Sequence, residues 1–246
     1  MPFGGKPTPV RFVRSRWPNQ QMHIRRIQYA RVPRIGMLNH NFDPDRPHLV
    51  VTLDVEGYVS PPANDFHTIY HALAALLPTL SQHRCCEEWE NTPLFLNEDE
   101  GVSLKWVNEV ADVAHLVEHV IVDLQCAISE MRKCSGITCG HKEPENRFDL
   151  FIECDDPTIG VFSAHFANYL VGAMFTKPRL SPRYHDIIEA ARLATAEPDA
   201  ITDGDQIAAR LAICPVRGRW VYAALKAFGL CNGEDHDGNH DDENIR

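Results

Sequence analysis

The feature that most constrains this chain is an apolar stretch from Val107 to Ile128, where Val110, Val113, Leu116, Val117, Val120, Ile121 and Leu124 recur at helical spacing. The pattern predicts one long helix, from about Ser103 to Met131, with its apolar stripe buried. Within it, residues 115–119 read His-Leu-Val-Glu-His. On a helix His115 and His119 are i,i+4 neighbours on one face, and Glu118 lies about 60° round from His115. Two imidazoles so placed can hold a metal ion, and the carboxylate beside them can reach a water that the metal activates. A second reading stays open at this point: histidines half exposed, or satisfied by core hydrogen bonds, on an ordinary buried helix. The pentapeptide has only three fixed positions, and such patterns recur by chance.

The segments around that helix predict a mixed fold. Met22–Ala30 alternates as a strand, and His48–Val55 is a clearer one. Pro61-Pro62 closes that region, and Asn64 or Asp65 can cap a helix that runs through Leu77 to Pro78. Ser81–Glu100 is polar and reads as loop with a helical turn. After the long helix comes a loop rich in Cys, Gly and Pro, then a strand from Phe148 to Cys154 and a helix from Ile159 to Phe175. Short helices follow at 184–196, 205–211 and 218–228. The expected class is α+β: a small sheet covered on one face by long helices, with a C-terminal helical appendage. The expected organisation is a flexible basic arm over 1–20, a domain over 21–178, a helical region over 179–231 and a disordered acidic tail over 232–246.

Charge and cysteine usage narrow the partners. A net charge of −10 argues against nucleic acid, whose phosphates need a basic footprint. No stretch reads as the roughly 20 apolar residues that a membrane span requires, and the basic N-terminus lacks the apolar core of a signal peptide. The expected location is cytoplasmic, and the eight cysteines (85, 86, 126, 134, 139, 154, 214 and 231) are expected as reduced thiols. Cys134, Cys139 and His141 are spaced too widely, without a second pair, to predict a zinc site of their own. His236 and His240 in the tail could chelate metal only loosely. Self-association stays open.

Several segments together resemble the N-terminal domain of cyanophycin synthetases. LLPTLSQHRC (76–85), AHLVEHVIVDLQ (114–125) and FIECDDPTIGVFSAHFA (151–167) are similar to segments of that domain in the same order. MHIRRIQYARVPRIG and LVVTLDVEG fit its start, so the resemblance covers about residues 22–175. In the synthetases this domain precedes the ligase modules that join aspartate and arginine. No P-loop motif is present here, and the roughly 70 residues beyond the match are too few for either module. The resemblance therefore implies no ATP-dependent ligase.

What it does imply is a polymer-binding element or a zinc peptidase of the inverted-zincin type, H-x-x-E-H. His115 and His119 would be the metal ligands, Glu118 the general base and Glu153 the third ligand. By strand alternation alone, Glu153 shares a face with Asp149 and Phe151 and reads as an edge position towards solvent. Asp112 or Asp123 could orient an imidazole, and His83 could line the cleft. The family's G-F-G-R-T-R loop is replaced by CSGITCGHK, where only His141 and Lys142 offer positive charge, so weak or absent cleavage of cyanophycin itself is expected, with better activity on a related, less acidic peptide or isopeptide. The expected function is a zinc-dependent metallopeptidase or amidase acting on a peptide-like or polyamide substrate. The alternative is a non-catalytic module that binds a polyamide or a protein.

Overall fold

The computed structural model describes residues 22–231 apart from 33–34, 39–40, 44, 56–62, 83–108, 130, 132, 177–178 and 199–200. His83, Cys85, Cys86, the polar stretch to Glu100, the arm, the tail and the start of the long helix before Glu109 lie outside the described residues, as do the side chains of Asn64, Asp65 and Asp112.

Four strands form one antiparallel sheet: β1 (Met22–Ala30), β2 (His48–Val55), β3 (Gly136–Gly140) and β4 (Arg147–Glu153), in the order β1-β2-β4-β3. Six α-helices accompany them among the described residues: α1 (Ala63–Leu76), α2 (Glu109–Ile128), α3 (Pro157–Thr176), α4 (Pro182–Ala196), α5 (Gly204–Leu211) and α6 (Pro215–Ala227). The fold is α+β, as the alternating and helical periods predict. The strand β3 is the addition. Its sequence falls within the segment expected as loop, because five residues bracketed by glycines offer little alternation to detect.

Alternation divides the sheet cleanly. Leu49, Val51 and Leu53 on β2, with Phe148, Leu150 and Ile152 on β4, are all buried and form the face under the helices. α2 packs over the β3–β4 side, while α3 packs over β1 and β2. The opposite face carries His48, Val50, Thr52 and Asp54, and across from them Arg147, Asp149, Phe151 and Glu153. Polar groups there satisfy one another: Thr52 donates to Asp149 at 2.7 Å, and Arg147 donates to Asp54 at 2.7 Å. The Arg147 and Arg25 guanidiniums hold the buried Asp54 carboxyl below the usual carboxylate range.

Local chemistry sets the later helix ends. Asp156 accepts from the backbone N–H groups of Thr158 and Ile159 ahead of α3, and Pro157 takes the first helical position. Ser181 and Asp203 cap α4 and α5 in the same way. α5 crosses α6 where Gly204 meets Gly218, and a Cβ on either glycine would run into the other helix. The C-terminal helices share one core with the sheet: Phe162, Phe166 and Tyr169 of α3 stack with Phe228 and Tyr184. Against the sequence expectation, α3 is long and apolar enough to cross a membrane by length and composition. Here 61% of its apolar window is buried within the fold, which accounts for that composition.

Candidate metal centre

α2 is apolar nearly all round because it is wedged between the sheet, α3 and α4. The three ionisable residues of its pentapeptide gather on the side towards β3. His115 and His119 bring their Nε2 atoms to 3.0 Å, with ring centroids 4.6 Å apart. Two imidazoles sharing one tetrahedral zinc, each at about 2.0–2.1 Å, would stand about 3.3 Å apart, so the spacing already approaches that of a chelating pair. Glu118 Oε2 lies 3.9 Å from His115 Nε2. Ligand atoms of all three residues fall within 4.8 Å of one another, the one such His/Cys/Asp/Glu group among the described residues. His115 keeps 20% of its side chain exposed while Glu118 and His119 are buried, so the group meets solvent on the His115 side.

The strand β3 positions Glu118. Gly136 and Thr138 share the helix-facing parity of Leu150 and Ile152, to which they are register partners. The Thr138 hydroxyl donates to Glu118 Oε2 at 2.9 Å. A Cβ at position 136 would overlap the Glu118 carboxylate, so only glycine leaves room for it. Neither residue stands out in the sequence. Their only signal is a pair of β-branched residues, Ile137 and Thr138, between two glycines in a segment that reads as loop.

Glu153 does not join this group, and the expectation that it supplies the third ligand does not match its position. Its side chain belongs to the face of the sheet turned away from α2. There the carboxylate accepts from the backbone N–H of Asp43 (2.9 Å) and of Ser135 (3.0 Å) and pairs with Arg46 (3.2 Å). α2 touches this residue through Gln125, whose amide donates to the Glu153 backbone carbonyl at 3.2 Å. The carboxylate, 2% exposed, is thus a structural tie between the 41–46 loop, β3 and β4. Beside it His48 is fully enclosed, its ring edge-on to Phe42, and burial pushes its pKa down.

The other sequence candidates scatter. Asp123 is buried and accepts from the Thr79 hydroxyl. Cys134 points its thiol at the Glu153 carbonyl (3.2 Å), whereas His141 pairs with Asp149 (2.9 Å). The cysteines 126, 134, 139, 154, 214 and 231 are free. Burial pushes the Cys126 thiol up to about 11 and Cys134 beyond that, so neither is a ready thiolate. A cavity of about 270 Å³ lined by Gln125, Ser129, Met131, Asp155, Asp156 and Ile159 sits past the C-terminal turns of α2 and takes in none of the three pentapeptide residues.

These features define a class: an α+β domain in which an H-x-x-E-H helix lies over the edge of an antiparallel sheet and gathers a His/Glu group able to hold a metal ion. Residues 50–176, just over half of the chain, match the family model described as the cyanophycin synthase-like N-terminal domain. The chain belongs to that family. No curated protein matches it.

Proposed function

We propose that this protein is a metal-dependent amidase or peptidase acting on a peptide-like or polyamide substrate. The observation that carries the reading is the convergence of His115, Glu118 and His119 on one point of α2 with one side open to solvent. His115 and His119 would hold a zinc ion through Nε2 as two of the three protein ligands that a hydrolytic site uses, with no third besides Glu118 gathered among the described residues. A zinc ion bound there supplies polarisation of the scissile carbonyl and activation of a water. Glu118 takes the proton from the attacking water and passes it to the leaving amine. Thr138 holds that carboxylate by one oxygen, which fixes its direction.

The charges around the β3–β4 hairpin support a substrate poorer in carboxylates than cyanophycin. His141 is paired with Asp149 and Arg147 with Asp54, leaving Lys142 as the exposed cation of that segment. A lysine is a weak substitute for the planar fork of an arginine in recognising carboxylates. The test is to load the purified protein with zinc and follow amine release from cyanophycin and from a panel of neutral peptides and isopeptides. Release from the neutral amides that vanishes in Glu118→Gln is expected. No release from any amide, with zinc bound, would overturn the reading in favour of a binding module.

A further inference from the structure

The sheet has two outer edges, and they differ. The β1 edge is interrupted by a bulge between Ile24 and Arg26 and carries exposed Arg25 and Arg26. Bulges and charges of this kind are how proteins keep edge strands from pairing. The β3 edge, Gly-Ile-Thr-Cys-Gly, has a regular register with β4 and no charged residue.

The pairing of β3 with β4 determines which of its backbone groups are committed. Glu153 N–H donates to the Ser135 carbonyl (2.9 Å) and His141 N–H donates to the Arg147 carbonyl (2.8 Å). In an antiparallel ladder such pairs alternate, so Ser135, Ile137, Cys139 and His141 face β4. The N–H and C=O groups of Gly136, Thr138 and Gly140 therefore point away from the sheet. No strand pairs with that outer edge among the described residues. The same Gly136 and Thr138 touch the Glu118 carboxylate, so a chain laid along this edge passes directly by the His115–Glu118–His119 group.

We infer that the outer edge of β3 is the backbone-docking rail for substrate: an extended α-peptide segment adds as a fifth strand through Gly136, Thr138 and Gly140. This inference rests on the proposed amide hydrolysis and names its substrate as a chain with a free α-amide backbone of some four or more extended residues. Main-chain pairing supplies affinity without regard to sequence. Every second side chain of the docked segment then turns towards α2 and its His/Glu group, the others away from it. Selectivity is thus confined to alternate positions, and folded or cyclic amides are excluded.

The experiment measures binding without turnover, on the full chain stripped of metal. A fluorescently labelled, uncharged eight-residue Ser/Thr/Val peptide is titrated, together with versions N-methylated at one backbone nitrogen each. Methylation at alternate positions is expected to weaken binding at least ~10-fold, with the intervening positions changing less than ~3-fold. Gly140→Pro, which removes an outward N–H and leaves the ladder to β4 intact, is expected to weaken the parent peptide by a similar factor. No binding of the parent peptide, or binding indifferent to methylation, would overturn the docking rail. Binding with a two-residue period but no cleavage after zinc is restored would leave the rail standing and remove the hydrolase reading. Cleavage without the period would do the reverse.

Discussion

Thr138 of β3 donates its hydroxyl proton to Oε2 of Glu118 on α2 at 2.9 Å, so the carboxylate of the pentapeptide is aimed by the edge strand as well as by its own helix. Glu118→Gln keeps the size and the acceptor but cannot take a proton. Zinc content should stay near one per chain while turnover falls by at least ~10²-fold. Thr138→Val removes only the guiding bond, and a loss of roughly 3- to 10-fold is expected, the scale of one hydrogen bond. Elemental analysis and steady-state rates on the two variants check the order. Equal losses would mean that Thr138 does more than aim.

The metal set separates from Glu153. His115→Ala and His119→Ala should abolish zinc binding by elemental analysis and titration calorimetry. Glu153→Gln should leave zinc affinity within ~3-fold, because its carboxylate is occupied by Asp43 N–H, Ser135 N–H and Arg46. It should instead destabilise the fold by about 1–3 kcal/mol in denaturant titration, from a weakened buried charge pair. Loss of zinc in Glu153→Gln would restore it to the ligand set.

Gly136→Ala inserts a methyl where the Glu118 carboxylate now sits. The end of a glutamate side chain can swing aside, so the melting temperature should drop by only a few degrees. Turnover should fall at least ~10-fold because the displaced carboxylate is no longer oriented. A thermal melt and a rate measurement on the same sample test the split.

His48 gives the fold an acid-sensitive element. Burial lowers its pKa in the folded state, so the unfolded chain binds the proton more readily. Stability is therefore intact above the unfolded value of about 6.5 and declines as pH falls below it, by at most about 1.4 kcal/mol per pH unit for one such group. Urea unfolding at pH 7.5, 6.5 and 5.5 should show this slope, and His48→Leu should reduce it. His165, whose pKa burial also lowers, leaves a residual slope in that variant.

The long helix and three of the strands could be read because their apolar residues recur at helical or two-residue spacing, despite the register shift between Ile24 and Arg26 in β1. The pentapeptide could be read for the same reason: helical spacing alone puts His115 beside His119. β3 escaped because its identity comes from pairing with β4, not from its own five residues. Glu153 shows the limit in another way. Alternation does place it with Asp149 and Phe151, on the face away from α2, but its partners there include Arg46 and the Asp43 N–H, over a hundred residues earlier. A contact across that separation leaves no trace in a local pattern, and neither does the fit of Gly136 to Glu118.

The depth at which α2 is buried has a thermodynamic consequence for the metal centre. Val113, Leu116, Val117, Val120, Ile121 and Leu124 lock the helix against the sheet and α3, so the two imidazoles reach their near-chelating separation in the folded chain itself. An ion arriving from the His115 side would replace the hydrogen bond between the two Nε2 atoms without reordering the helix, so little backbone entropy remains to be lost on binding.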